Sequence, residues 1–168
     1  MENLFTLRPV TREEFPQVRR LAETIWPICY REILSPEQIS YMMEMMYSFP
    51  VIGKEVSEGV RYAFAEQANT LAGYLAWGPC EELPGTAKLH KLYLLPEYQG
   101  KGVGSSALSA VKAEAKAAGF TRLRLNVNRR NAKAIACYTR NGFTTVSEEN
   151  NDIGGGFFMT DYVMETEL

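Results

Sequence analysis

Gln99-Gly100-Lys101-Gly102-Val103-Gly104-Ser105 is the stretch whose residue types and spacing most directly suggest chemistry. Glycines at alternate positions let backbone N–H groups approach a ligand closely. A helix that starts at the last of them adds its unpaired first-turn N–H groups and the positive end of its dipole. Ser105 and Ser106 would lie in that first turn. Such a cradle suits a phosphate or pyrophosphate. Two common phosphate loops fit poorly. A Walker A loop needs GxxxxGK[ST], which does not occur in the chain. Gly102–Ala107 satisfies the GxGxxA form of the dinucleotide fingerprint. That fingerprint should open its fold and be followed by an acid at the end of the next strand. The next strand candidate, Thr121–Asn128, contains no acid, and too little chain follows for two βαβ halves.

The elements that must hold this loop can be read on either side of it. Lys88–Leu95 is a strand leading in, and a helix runs out to Gly119, a natural stop. In Thr121–Asn128, Leu123, Leu125 and Val127 alternate with Arg122, Arg124, Asn126 and Asn128, the period of a strand. Asn131 caps a helix that runs through Arg140 and ends at Asn141-Gly142. Phe143–Ser147 and Phe157–Glu167 are the last strands, with a polar loop containing Gly154-Gly155-Gly156 between them. Upstream, Asn3–Val10 is a strand. Thr11–Glu14 is a capping box before a helix that Pro27 should kink or end near Trp26. Ser35-Pro36-Glu37-Gln38 starts a second helix with Ile39, Met42, Met43 and Met46 on its apolar face, and Gly53–Glu58 could form a further helical turn. Val60–Glu66 and Thr70–Trp77 form an antiparallel hairpin about Ala68-Asn69, with Gly73 marking a bulge or a close backbone approach. The order β-α-α-β-β-β-α-β-α-β-β implies one mixed α/β domain over residues 1–168.

Composition narrows the function classes. The chain has 168 residues, 46% of them apolar, and a net charge of -2, so neither nucleic acid nor a membrane surface is implied as partner. No apolar run reaches the ~20 residues of a membrane span, and the first residues lack the pattern of a signal peptide. Cys29, Cys80 and Cys137 read as free thiols in a reducing cytoplasm. One histidine and three scattered cysteines argue against a zinc site.

Two stretches together, LYLLPEYQGKGVGSSAL and NVNRRNAKAIACYTRNGF, resemble the signatures of the GCN5-related N-acetyltransferase (GNAT) superfamily. The first carries Q-x-x-G-x-G. The second has an Asn opening a helix, a Tyr seven residues on, then a basic residue and Gly-Phe, here Asn131, Tyr138, Arg140 and Gly142-Phe143. The resemblance covers most of the chain. It implies a mixed, mostly antiparallel central sheet flanked by helices and splayed at an acetyl-coenzyme A site. It implies transfer of an acetyl group to a primary amine by direct attack through a tetrahedral intermediate. The alternative is a non-catalytic acyl-coenzyme A-binding or sensor protein of the same fold. No metal is implied, and the partners are a small-molecule or peptide amine and a second copy of the chain.

By the same resemblance, the backbone of Leu92 and Leu94 meets the pantetheine arm, with an N–H near Leu94 at the oxyanion, and Tyr93 between them counts among the cofactor-binding residues. Gln99, Gly100, Lys101, Gly102, Val103, Gly104 and Ser105 hold the pyrophosphate, with Gly102 and Gly104 kept free of side chains for access. Asn131 also contacts the cofactor. Tyr138 is the expected general acid for the departing thiolate. Many relatives carry a Glu as base on the central strand, but the matching residue here is Lys88. Two residues on lies His90, whose ordinary pKa of ~6.5 suits the task. His90, Glu66, Glu81 and water remain open as the base. Trp26, Tyr30, Tyr41 and Trp77 are candidate walls of the acceptor pocket.

Overall fold

A computed structural model describes residues 5–168. The chain forms β1 (Phe5–Pro9), a 3-10 turn (Arg12–Glu14), α1 (Phe15–Cys29), α2 (Pro36–Tyr47), α3 (Phe49–Ser57), β2 (Arg61–Gln67), β3 (Thr70–Pro79) and β4 (Thr86–Leu94). A second 3-10 turn (Pro96–Tyr98), α4 (Val103–Ala117), β5 (Arg122–Asn128), α5 (Ala132–Arg140), β6 (Thr144–Gly154) and β7 (Phe157–Glu167) complete it. All seven strands lie in one sheet, ordered β1-β2-β3-β4-β5-β7-β6. Every pairing is antiparallel except β4 with β5. The mostly antiparallel sheet flanked by helices matches the architecture read from the sequence. Asn3 and Leu4 of the expected first strand lie outside the described residues.

Alternation along the strands sends side chains to two cores. On one face Val18, Ala22, Ile25 and Trp26 of α1, Met42 and Met43 of α2 and Ile52 of α3 pack on Tyr62, Phe64 and Tyr74. On the other face Ala107, Leu108, Val111 and Ala115 of α4 pack on Leu75, Trp77, Leu89, Leu123 and Leu125.

Three sequence expectations need correction. Pro27 does not end α1 near Trp26, since the helix runs on to Cys29. A proline inside a helix costs about 3 kcal/mol, but burying one large apolar side chain returns roughly 1.5–3 kcal/mol. Ile25 and Trp26, each almost wholly buried, hold the last turn in place. The turn expected at Gly53–Glu58 is part of a longer helix that starts at Phe49. The segment read as a polar loop after Ser147 is strand: β6 extends to Gly154 and pairs with β7 up to Phe157. Its outward side chains are polar because β6 is an edge strand facing water.

Two local departures shape β4. The register to β3 passes from Ala76↔Lys91 to Trp77↔Leu89, so His90 is an extra, bulged residue in β4. A bulge bends its strand and increases its twist. Pairing to β5 stops at the same place. It covers Thr86↔Arg122 to Leu89↔Leu125 and goes no further, while β4 continues to Leu94 and β5 to Asn128. Beyond Leu89 the two parallel strands therefore diverge and leave an open mouth in the sheet. Gly73 shows the close approach expected of it: a Cβ there would sit 2.1 Å from the Tyr93 carbonyl oxygen.

Candidate active site

The mouth between β4 and β5 gathers most of the residues singled out by the sequence. The Leu95 N–H donates to the Ala72 carbonyl of β3 at 2.8 Å. N–H groups along a strand point alternately to its two sides, so those of Leu92 and Leu94 turn away from β3 and into the mouth. Tyr93 has the opposite sense. Its backbone is turned to Tyr74 of β3. Its phenol instead joins the aromatic group under α1.

The glycine loop closes one end of the mouth. Gln99 Nε2 donates to the Leu94 carbonyl at 3.1 Å and pins the loop to the end of β4. Gly100 (φ 73°) and Gly102 (φ 79°) both adopt the left-handed conformation that favours glycine. A Cβ on either would meet nothing within 4 Å, so the space in front of them is open. Gly104 has closer neighbours: a Cβ there would lie 3.5 Å from Cys137 Sγ, an ordinary van der Waals contact where α4 meets α5. The first helical bond of α4 runs from Ser106 N–H to the Gly102 carbonyl. The N–H groups of Val103, Gly104 and Ser105 are thereby left for a ligand. Val103 buries its side chain, Lys101 is exposed, and Ser105 Oγ accepts from Asn141 Nδ2 at 3.0 Å, which ties α4 to the end of α5. Open space, unpaired donors and a helix dipole are what the pyrophosphate of coenzyme A requires.

α5 borders the other side. Asn131 Oδ1 caps it by accepting the Ala134 N–H at 3.3 Å. Two turns on, Tyr138 sets its ring edge-on to Phe143, with centroids 5.8 Å apart. Burial pushes the Tyr138 phenol well above its usual range, and nearby Tyr93 and Cys137 add to the effect. It therefore stays protonated at neutral pH. On the α1 side, Tyr30 and Tyr93 share a hydroxyl–hydroxyl bond of 2.9 Å, and the Trp26 ring lies 5.1 Å from Tyr30 and 5.5 Å from Tyr93. Arg130 ties this wall down by donating to the carbonyls of Glu32 (2.6 Å) and Ile33 (3.2 Å). Tyr41 of α2 donates to the Ile153 carbonyl at 2.7 Å and anchors the β6–β7 hairpin. Trp77 lies on the opposite face, where its indole N–H donates to Glu114 of α4 at 3.0 Å, so it is not a wall of this pocket.

The candidate bases are spread more widely. Glu66 is bound to Arg8 at 2.8 Å, two strands from the mouth. Glu81 is exposed in the β3–β4 loop, at the end of β4 away from the mouth. His90 sits at the bulge. Its Nε2 is buried without a partner, and its pKa is lowered to about 4, first by burial and then by Lys88 and Lys91. Lys91 is buried too, held by Glu55 of α3 at 3.1 Å and by the Tyr62 hydroxyl.

Asp161 of β7 is the residue the sequence did not bring forward. It is only 3% exposed and lies directly across from Asn128 of β5 and Glu149 of β6. Asn126 Nδ2 donates to Glu149 at 2.9 Å and to Asp161 at 3.3 Å. Burial raises the Asp161 pKa, and Glu149 adds to this, against Asn126, Lys88 and Arg129. The only trace in the sequence was an acid in the otherwise uncharged start of a strand, Phe157–Tyr162. Among the described residues no group of three metal-ligating side chains occurs, and no helix is long and apolar enough to cross a membrane.

Comparison with known proteins agrees with this geometry. The chain is 26% identical over 151 residues to a spermidine N(1)-acetyltransferase of Thermoplasma acidophilum, covering 87% of this chain and 92% of the relative. It is 27% identical over 155 residues to an uncharacterized N-acetyltransferase of Mycobacterium tuberculosis, covering 90% and 96%. The crystal structure of PaiA N-acetyltransferase from Thermoplasma acidophilum in complex with coenzyme A superposes with a TM-score of 0.81 at 25% identity, covering 98% of this chain and 99% of that one. The ribosomal-protein-S18-alanine N-acetyltransferase of Escherichia coli shares the fold, with a TM-score of 0.72 at 18% identity over 98% and 94% of the two chains. Residues 16–143 match the family described as Acetyltransferase (GNAT) family, and the chain belongs to it.

Proposed function

We propose that the protein transfers the acetyl group of acetyl-coenzyme A to a primary alkylamine by direct attack of the amine on the thioester. The observation that carries this reading is the mouth itself. A lone parallel strand pair opens beside an unpaired helix N-terminus, with a protonated tyrosine on its far wall. The backbone of Leu92 and Leu94 would pair with the pantetheine arm as a neighbouring strand would. An N–H placed at the developing oxyanion is worth roughly 3–4 kcal/mol. Tyr138 would protonate the departing thiolate. A spermidine acetyltransferase among the relatives supports an alkylamine acceptor.

Such an amine is mostly protonated at pH 7, and freeing its lone pair costs roughly 4–5 kcal/mol, so a proton acceptor is needed. The sequence pointed to His90. Its imidazole is neutral at pH 7, but Lys88 and Lys91 beside it oppose the arrival of a further positive charge.

Thermal unfolding with and without acetyl-coenzyme A tests the reading. At about 100 times Kd the ligand should add about 2.7 kcal/mol of stability, a rise in Tm of several degrees. Tyr138→Phe should keep that rise while thiol release slows by about 10²-fold or more. A chain that no acyl-coenzyme A stabilises would overturn the proposal.

A further inference from the structure

We propose that Asp161 receives the ammonium form of the acceptor at the mouth between β4 and β5 and takes its proton. This rests on the acetyltransferase reading above.

Position is the first argument. Asp161 stands opposite Asn128, at the end of β5 that forms one lip of the mouth. Leu123, Leu125 and Val127 of β5 face α4, so Asn126, Asn128 and their neighbour Asp161 face the α1–α2 side. That places the carboxylate on the side of the mouth opposite α4 and α5, the helices that border the proposed cofactor groove. Tyr93, whose phenol lies on this side, feels the Asp161 charge.

Incomplete pairing is the second. A carboxylate this deeply buried ordinarily has an ion pair or several donors. Asp161 has one long bond, from a neutral amide, and among the described residues its Oδ1 finds no donor; that oxygen is not sealed off from solvent and is left for an incoming group. Lys88 and Arg129 act on it through space without forming an ion pair with it. An alkylammonium brings three N–H donors and the missing charge.

Charge contrast is the third. On the β4 side of the mouth lies the His90 imidazole, whose protonation Lys88 and Lys91 oppose, while the one acid beside Lys91, Glu55, is already bound to it. On the β7 side it meets Asp161 with Glu149 alongside. The groups facing Asp161 are thus Lys88 and Tyr93 from β4, Asn126 from β5, Arg129 after it and Glu149 from β6.

The step balances without a further reactant. Asp161 takes one proton from R–NH₃⁺ and later returns it to solvent. The nitrogen lone pair forms the C–N bond, the C–S bond breaks, and its electron pair leaves on sulfur. Tyr138 protonates the thiolate and is restored by the second proton lost from nitrogen. One proton is released per acetyl group transferred.

Two amines separate this role from a structural one. Butylamine must lose a proton before attack, whereas 2,2,2-trifluoroethylamine is already neutral at pH 7. Asp161→Asn should lower kcat/KM for butylamine at least 100-fold and leave that for trifluoroethylamine within about 5-fold. Stabilisation by coenzyme A and the urea midpoint should not fall, because the variant removes a poorly paired buried charge. Equal loss with both amines, or no loss with either, overturns the role of Asp161. Should that variant not fold, Asn126→Ala serves. It removes the donor to Asp161, so the acidic limb of kcat/KM for butylamine should move to higher pH, and an unmoved limb overturns the proposal. Wild-type protein that binds coenzyme A but acetylates neither amine overturns the transfer reading itself, a result distinct from any obtained with the variants.

Discussion

His90 illustrates how a single side chain can carry a stability signature separate from any part in chemistry. Its imidazole titrates at about 4 in the folded protein, against about 6.5 when unfolded. Below pH 6.5 the unfolded chain binds a proton that the folded chain refuses, so stability falls with falling pH until the folded form also protonates near 4. Between those limits the loss is about 3 kcal/mol at most. His90→Gln should flatten that part of the profile, and urea midpoints measured at pH 7, 5.5 and 4.5 would show it. A parallel fall in both proteins would mean that the imidazole is not held as described. The same residue shows what a sequence hides. His90 is the only histidine and stood out at once, but the two lysines that make its site hostile to a cation act through folded proximity, and one of them, Lys88, looked like a misplaced base.

Between β3 and β4 the tolerance is smallest at Gly73. A methyl group there would overlap the Tyr93 carbonyl at 2.1 Å and press on the Leu94 backbone, neither of which can swing aside like a side-chain tip. Gly73→Ala should cost about 3 kcal/mol or more. Because Leu94 would shift with it, stabilisation by coenzyme A should weaken as well. Calorimetry with and without the ligand measures both effects, and an unchanged Tm would contradict the close approach. Local features of this kind were legible in the sequence. Gly73 in a strand pattern, Ser35 before Pro36 and Asn131 before a helix each announce a backbone need within a few residues, and the Ser35 and Asn131 side chains do accept the first-turn bonds expected of them. Features set at longer range were not. Pro27 read as a breaker because the burial of Ile25 and Trp26 depends on a sheet assembled elsewhere. Asp161 meets Asn126 only because β7 inserts between β5 and β6, a register that no spacing along the chain reveals.

At the scale of the whole molecule, the sheet divides into β1–β4 and β5–β7–β6, joined by the short pairing of Thr86–Leu89 with Arg122–Leu125. Each set of strands comes from one continuous length of chain, and the glycine loop lies between the two lengths. Helix α4 spans them by burying Leu108 and Val111 on strands of both. The seam has a consequence for cooperativity. A protein opens in units, and amide hydrogen exchange reports the free energy of opening each one. With so few backbone bonds across the seam, the two strand sets should exchange with distinct protection in the free protein, the amides of Leu92 and Leu94 fastest within β4. A pantetheine arm laid along β4 supplies the missing rung. On binding, protection should rise at those two amides and converge across the sheet, so that two weakly joined folding units come to open as one.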